Sequence, residues 1–266
     1  MRYNTFNKAG NALREKATRP TPLHTAIVAA LSLATVLTCI AATVDYYSWE
    51  LELSLWLQGF SLGGADFLRE WLSWMGARVV SGAAMLAVCV ALWVWRWRLE
   101  AVFVALVSVP DALNILLKEL IGRPRPTADL VDVVIGFGGI QGYGFPSGHA
   151  LHAVLFYGFL LFLARRYIAN PVLLRTIFVL GLAYITATGP WLIYDGRHWP
   201  IDVMGGFAYG VFYLLAFETA YKRLLRRIME GKRPLWLTGL AHSSLRREGE
   251  EREDDARESF RRSLND

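Results

Sequence analysis

Cysteine is scarce in this sequence, which has only two among its 266 residues. Cys39 and Cys89 both lie inside apolar runs, and neither has another Cys or a His at the spacing of metal ligands. We therefore expect both to be buried as small apolar side chains, and they carry no information about the redox compartment. The cysteine pattern gives no support to a metal site.

Charged residues are missing from several long stretches, and the whole chain is 54% hydrophobic with a mean hydropathy of +0.31. A soluble domain has about 45–50% apolar residues, and a membrane span needs about 20 of them in succession. Because lipid offers the backbone no hydrogen-bond partners, these stretches must be helices. The sequence predicts an all-α polytopic membrane bundle with six transmembrane helices. The predicted spans are residues 24–44, 79–95, 101–120, 150–163, 172–191 and 203–221.

A small-residue cleavage site is missing after the first apolar run, which is also long for a signal peptide. We therefore interpret this run as a retained span. The chain then divides into a basic segment over residues 1–23, a membrane domain over residues 24–222 and a charged tail over residues 223–266. The end of the tail has too few apolar residues to fold alone, so we expect a solvated helix or a disordered segment there.

Two amphipathic stretches separate the first two predicted spans. The second runs over residues 67–75, and in the first the apolar residues recur at steps of three and four, which is typical of a helix. We expect interfacial helices on the membrane surface, with a membrane-embedded lid as the alternative. The apolar residues of the first stretch are Trp49, Leu53, Trp56, Leu57 and Phe60.

The distribution of Lys and Arg predicts the orientation of the chain. If the N-terminus is cytoplasmic, the inner segments carry most of the basic residues, including Arg96, Arg98, Arg165 and Arg166. Both termini are then cytoplasmic. This topology, rather than a nucleic-acid partner, explains the net charge of +5.

Polar residues that are unusual beside membrane spans gather in three segments, and all three are predicted on the outer face. The first motif segment is residues 118–126, the second is residues 144–149, and the third is residues 194–202. Taken alone, each has an ordinary explanation, such as a basic side chain reaching the interface or the start of a helix. Their convergence on one face predicts a functional site.

The residue types in the first two segments suit phosphate. Lys118 supplies a point charge and Arg125 a planar fork of donors, which together neutralise and orient phosphoryl oxygens. Ser147 and Gly148 stand where a helix begins, and the exposed N–H groups and the positive end of the helix dipole favour an anion there.

In the third segment, His198 and Asp202 are four residues apart. On a helical turn Asp202 can accept a hydrogen bond from one ring nitrogen of His198. This bond would fix the tautomer and make the other nitrogen a nucleophile toward phosphorus.

In this order the segments resemble the signature of the type 2 phosphatidic acid phosphatase family of integral membrane lipid phosphatases. The first motif, Lys, six residues and Arg-Pro, is matched in full from Lys118 to Pro126, and the second, Pro-Ser-Gly-His, at residues 146–149. The third, Ser-Arg, five residues, His, three residues and Asp, is matched only in its second half, by His198 and Asp202.

The resemblance implies a mechanism in which His198 attacks phosphorus and forms a phosphohistidine. Asp202 would orient this histidine, and His149 would protonate the leaving oxygen. Neither a metal nor another cofactor is implied. The implied phosphate-binding residues are Lys118, Arg125, Ser147 and Gly148.

Trp191 and Leu192 stand where the family has Ser-Arg, so one phosphate-binding arginine is absent. Loss of a charged donor at such a site slows the reaction on the order of 10²–10³-fold. The candidates to replace it are Arg197, directly before the predicted nucleophile, and Arg123 in the first motif segment. Adjacent helical side chains point about 100° apart, so Arg197 can share the ligand only in a non-helical turn. Asp195 would repel phosphate unless one of these arginines pairs with it.

The expected function is hydrolysis of a lipid phosphate or pyrophosphate on the extracytoplasmic side of an inner or plasma membrane. Polyprenyl pyrophosphate, phosphatidylglycerol phosphate and phosphatidic acid all fit the motifs. Two alternatives stay open: a lipid phosphotransferase that uses the same histidine, and a catalytically weakened protein that binds or transports a lipid phosphate. The sequence leaves the oligomeric state open.

Overall fold

The computed structural model describes residues 22–61, 66–135 and 142–230. Within these ranges the chain forms helices and no strand. The elements are α1 (Pro22–Ala41), α2 (Ser48–Gln58), α3 (Asp66–Gly76), α4 (Arg78–Val94), α5 (Arg98–Leu106), α6 (Ser108–Ile121), α7 (Gly148–His152), a π-helical turn (Ala153–Tyr157), α8 (Gly158–Tyr167), α9 (Pro171–Tyr194) and α10 (Pro200–Met229).

Within the described ranges, five helical segments are long and apolar enough to cross a membrane, and a bent pair of helices makes up to six. The bent pair is Arg69–Gly76 with Val79–Val94, at an angle of 63°. Two of the five are composite: α5 and α6 form Arg98–Ile121, while α7, the π-helical turn and α8 form Gly148–Tyr167. The predicted all-α membrane bundle is confirmed, and its second span is joined to the amphipathic helix α3 through this bend.

The predicted spans differ from the observed helices mainly at their ends. The first helix ends at Ala41 rather than at residue 44, and the last continues to Met229, past the predicted end at residue 221. Arg226 and Arg227 occupy the last turn of α10, where positive charge stabilises the negative end of the helix dipole. Residues 1–21 and 231–266, which hold most of the predicted basic segment and tail, lie outside the described residues.

The outer surfaces of the helices are apolar. On α9, Val172 and Leu180 are 73% and 64% exposed. Lipid chains are as apolar as leucine, so side chains that face them need no protein cover. For the same reason the prediction that both cysteines are buried was wrong for Cys39, which is exposed on α1, whereas Cys89 is half-buried.

Helix α10 packs against α1, α7 and the π-helical turn. Small residues on α10 let these elements approach closely. A Cβ atom on Gly206 would contact the carbonyl oxygen of Ser147, and one on Gly205 would contact the ring of Phe145. This close packing brings the second motif segment against the start of α10.

An aromatic core fills the opposite end of the bundle. The ring of Phe103 lies edge-on to that of Tyr221, with centroids 5.4 Å apart, and Phe159 packs beside both. Glu100 is 1% exposed in this core. Its Oε1 accepts the hydroxyl groups of Tyr167 and Tyr221, at 2.5 and 2.7 Å.

Candidate active site

The first motif segment begins where α6 ends. Gly122 closes the helix with a φ of +68°, a left-handed conformation that glycine adopts without strain. The N–H of Gly144 donates to the carbonyl oxygen of Arg123 at 2.7 Å, which joins the first segment to the second. A Cβ atom on Gly144 would lie 2.5 Å from Oδ2 of Asp202. Glycine is therefore required here for the third segment to approach.

A backbone hydrogen bond joins the second segment to the third. The N–H of Ser147 donates to the carbonyl oxygen of Asp202 at 2.8 Å. Ser147 also caps α7, because its Oγ accepts the N–H of Ala150 at 3.4 Å. These contacts fix the start of α7 against the start of α10.

The third segment turns sharply between α9 and α10. Gly196 has a φ of +61°, and a Cβ atom there would contact the carbonyl oxygen of Asp132. Arg197 and His198 follow in this turn, before α10 begins at Pro200. The chain here has the non-helical geometry that Arg197 requires to share a ligand with His198.

His198 lies at the centre of the three segments and is 1% exposed. Its Nδ1 is 3.3 Å from Oδ2 of Asp202, and its Nε2 is 3.0 Å from Nη1 of Arg125. Arginine only donates hydrogen bonds, so Nε2 accepts, and the ring proton lies on Nδ1 and points to Asp202. The ring of His149 lies 6.4 Å away, centroid to centroid.

The surroundings of His198 keep it neutral. Burial lowers the pKa of His198 well below its usual value, and the positive charges of Arg125 and Lys118 lower it further. Nε2 is therefore unprotonated at neutral pH, which is the state that a nucleophile requires.

Backbone oxygens hold the two cations of the first motif segment in place. Lys118 Nζ donates to the carbonyl oxygens of Tyr143 and Gly144 at 2.8 and 2.6 Å, and Arg125 Nε donates to that of Gly142 at 3.0 Å. Both side chains line a cavity of about 590 Å³ among α4, α6, α7 and α9. The lining residues at the motif end of this cavity are Lys118, Arg125, Gly148 and His149.

Arg123 lies between two buried carboxylates instead of facing a ligand. Its Nη1 is 2.7 Å from Oδ1 of Asp202, its Nη2 is 2.6 Å from Oε2 of Glu50, and the side chains of all three residues are 0% exposed. Glu50, from α2, also accepts the N–H of Ile201 at 2.9 Å. This arrangement gives no support to phosphate binding by Arg123, because its guanidinium is buried and paired with Glu50 and Asp202.

Trp191 and Leu192 fill the place of the absent Ser-Arg pair. Leu192 is 0% exposed in the core. The ring of Trp191 meets the ring of His149 edge-on at 6.5 Å and lies 5.4 Å from the guanidinium of Arg197. Trp191 therefore contacts one proposed catalytic group and one candidate cation. Replacement of the absent arginine by Arg197 stays a prediction.

Asp195 has an arginine partner from α3. Its Oδ1 lies 3.6 Å from Nε of Arg69. Burial raises the pKa of Asp195 to about 6, although the charges of Arg69 and Arg197 oppose this rise. The carboxylate that would repel phosphate is thus compensated by two arginines, of which only Arg197 was expected.

Sequence reasoning did not find four polar residues near the motifs. Glu50 holds Arg123, and Asn114 Nδ2 lies 3.5 Å from the carbonyl oxygen of Pro146. Asp111 and His152 form a pair at 2.8 Å. The sequence could have indicated this pair, because ionisable residues inside apolar spans are rare and mark functional sites. A single glutamate in an amphipathic helix gives no such signal.

These features define an integral membrane protein with paired histidines, a carboxylate and several cations at one end of a helix bundle. Residues 99–226 match the model of the PAP2 superfamily, so the predicted family resemblance is confirmed over these residues. The fold is similar to that in the crystal structure of the first transmembrane PAP2 type phosphatidylglycerolphosphate phosphatase from Bacillus subtilis.

The TM-score of this match is 0.65, with 19% sequence identity, and it covers 75% of this chain and 97% of the other. At this level of sequence identity, the match shows only that the two proteins share a fold. No curated protein sequence matches the chain significantly.

Proposed function

We propose that the protein is a metal-independent lipid phosphate phosphatase that works through a phosphohistidine on His198. The contacts of His198 carry this proposal: Asp202 lies 3.3 Å from Nδ1, Arg125 lies 3.0 Å from Nε2, and the ring of His149 is 6.4 Å away. A phosphoryl group between the two rings meets a nucleophile on one side and a proton donor on the other.

In the first step the Nε2 lone pair of His198 attacks phosphorus, and the bond from phosphorus to the lipid oxygen breaks. His149, in its protonated form, gives its proton to that oxygen, so the lipid leaves as an alcohol, or as a monophosphate if the substrate is a pyrophosphate. The hydrogen bond from Nδ1 to Asp202 stabilises the positive charge that develops on the ring.

In the second step water attacks the phosphorus, and the bond between phosphorus and Nε2 of His198 breaks. Neutral His149 takes a proton from the water, which restores both histidines and releases inorganic phosphate. In both steps negative charge spreads over the phosphoryl oxygens, and fixed donors stabilise it. The proposed donors are Lys118, Arg125, Arg197, Ser147 and the N–H of Gly148.

Arg123 has a different role in this proposal. Its guanidinium holds Oδ1 of Asp202 at 2.7 Å, which leaves Oδ2 for His198. Arg123 is thus a positioning residue for the nucleophile, and Glu50 positions Arg123 in turn.

The proposed substrates are lipid monophosphates or pyrophosphates: phosphatidic acid, phosphatidylglycerol phosphate or polyprenyl pyrophosphate. The similar fold of a phosphatidylglycerolphosphate phosphatase supports a lipid substrate. The excess of Lys and Arg in alternate loops supports a site on the extracytoplasmic side, with both termini cytoplasmic.

The test is phosphate release in detergent from several lipid phosphates. We expect His198→Ala to lower kcat on the order of 10⁴-fold or more, and Arg197→Ala to lower it about 10²–10³-fold. His24→Ala is a matched control, because His24 lies on α1 beside Arg223 and outside the three segments. Chelation with EDTA should leave the rate unchanged.

Each alternative has its own outcome. Transfer of labelled phosphate to a second lipid would make the protein a phosphotransferase. Tight binding of lipid phosphates without release by the wild type would make it a binding or transport protein. A rate that EDTA abolishes would contradict metal independence.

A further inference from the structure

A second histidine–carboxylate pair, outside the three motifs, lines the cavity that Lys118, Arg125 and His149 also line. His152 Nδ1 lies 2.8 Å from Oδ2 of Asp111, and both residues line the cavity. Their side chains are 15% and 32% exposed. Both lie inside segments that are apolar enough to span a membrane, where an ionisable side chain is expensive and marks a functional site.

The pair lies deeper in the bundle than the phosphate site. On α7, His152 follows His149 by three residues, which is about 4.5 Å along a helix. On α6, Asp111 precedes Lys118 by seven residues, or about 10 Å. Because α6 runs toward the motif end and α7 runs away from it, both displacements point into the bundle. The substrate group that reaches the pair is therefore the part of the lipid next to the phosphate.

The chemistry of the pair selects an oxygen-bearing group. Nδ1 of His152 is paired with the carboxyl group of Asp111, so Nε2 is left for another partner. Nε2 is buried and has no hydrogen-bond partner among the residues that the structure describes. Stacking on Phe156, with ring centroids 5.1 Å apart, holds the imidazole in place. A hydroxyl or a water-bridged ester oxygen satisfies Nε2, whereas hydrocarbon leaves it unsatisfied.

We propose that Asp111 and His152 form a polar subsite for the oxygen-bearing linker between the phosphate and the lipid chains. The subsite would select lipids with a glycerol-type linker over lipids whose hydrocarbon is attached directly to the phosphate, such as polyprenyl phosphates. This inference rests on the proposed phosphatase activity and adds a specificity determinant to it.

The experiment compares two monophosphates, a phosphatidic acid and a polyprenyl phosphate, with the full chain in detergent. We expect His152→Phe and Asp111→Asn each to lower the kcat/KM ratio of phosphatidic acid to polyprenyl phosphate about tenfold, chiefly through KM. His152→Gln retains a hydrogen-bonding group and should lose less than His152→Phe. Met85→Leu alters an apolar residue of the same cavity, so it should change both substrates in parallel.

Competitive inhibition by inorganic phosphate reports separately on the phosphate site and should be unchanged in these variants. If His152→Phe does not fold, the ratio for Asp111→Asn decides the question. An unchanged ratio in active variants would overturn the subsite alone. Absence of phosphate release by the wild type from these two lipids and also from phosphatidylglycerol phosphate and polyprenyl pyrophosphate would overturn the proposed function, and the subsite with it.

Discussion

The two ends of the bundle satisfy buried carboxyl groups in different ways. At the motif end, Glu50 and Asp202 share the guanidinium of Arg123, at 2.6 and 2.7 Å. At the other end, Glu100 accepts two tyrosine hydroxyl groups. The guanidinium of Arg123 is a charged, planar group with donors in fixed positions, whereas tyrosine hydroxyl groups are neutral and rotate, but loss of the arginine leaves buried carboxylates without a counter-charge. The motif end therefore gains precise orientation of Asp202, and it is also the end more sensitive to substitution.

The largest effect is expected from removal of the shared cation. Arg123→Met leaves two buried carboxylates without a counter-charge, which should lower the free energy of unfolding by about 3–5 kcal/mol. Thermal unfolding in detergent measures this change, and kcat should fall with it. Arg226→Met is the matched control, since Arg226 is exposed on α10 and its loss should change stability by less than about 0.5 kcal/mol. Equal stability of the two variants would contradict the role of Arg123.

Asp195 is buried like Asp202, but its arginine partner, Arg69, lies farther away, at 3.6 Å. Its pKa of about 6 is above the usual value of 3.8, so the folded state holds the proton more tightly than the unfolded state. The stability that this proton contributes is present below about pH 4 and is lost as pH rises through about 6. Relative to Asp195→Asn, the wild type should lose roughly 2–3 kcal/mol between pH 4 and pH 7. Parallel stability profiles over this range would show that the shift is absent.

Glu50→Gln tests whether α2 helps to position Asp202 through Arg123. The amide keeps the size of the side chain but loses its charge on Arg123, so we expect a loss of about 1–3 kcal/mol in stability. We also expect kcat to fall about tenfold with little change in KM, because Asp202 acts on the nucleophile and not on the bound lipid. Glu52→Gln, on the exposed face of the same helix, should leave both parameters unchanged. A change confined to KM would place Glu50 in substrate binding instead.

The smallest effect is expected at the aromatic end. Tyr221→Phe removes one of the two hydroxyl groups that Glu100 accepts and should lower the free energy of unfolding by about 1 kcal/mol. Its kcat and KM should equal those of the wild type, because this cluster touches none of the motif segments. A loss of kcat in this variant, if it is folded, would show that the aromatic end of the bundle affects catalysis at the motif end.

The parts of the site that sequence reasoning found are those with fixed local spacing. Lys118 and Arg125, the residues from Ser147 to His149, and His198 with Asp202 all lie in short motifs, and the structure brings these segments together around His198. The membrane spans were predictable because lipid permits only a long apolar helix.

The rest depends on contacts between residues that are distant in the sequence. Arg123 was expected at the phosphate because of its place in the first motif segment, but Glu50, 73 positions away, takes its Nη2. The contact of Trp191 with His149 depends likewise on how α9 meets α7. No local pattern encodes these partners, since they follow from the packing of whole helices.

The π-helical turn separates the half of one span that carries the two histidines from the half that carries Phe159. His149 and His152 precede it, whereas Phe159, which packs in the aromatic core, follows it. A wider turn accommodates an extra residue relative to an α-helix, and removal of one residue would rotate one half against the other by about 100°. The turn thus corrects the phase of the helix, so that the reactive half and the packing half each keep their own register.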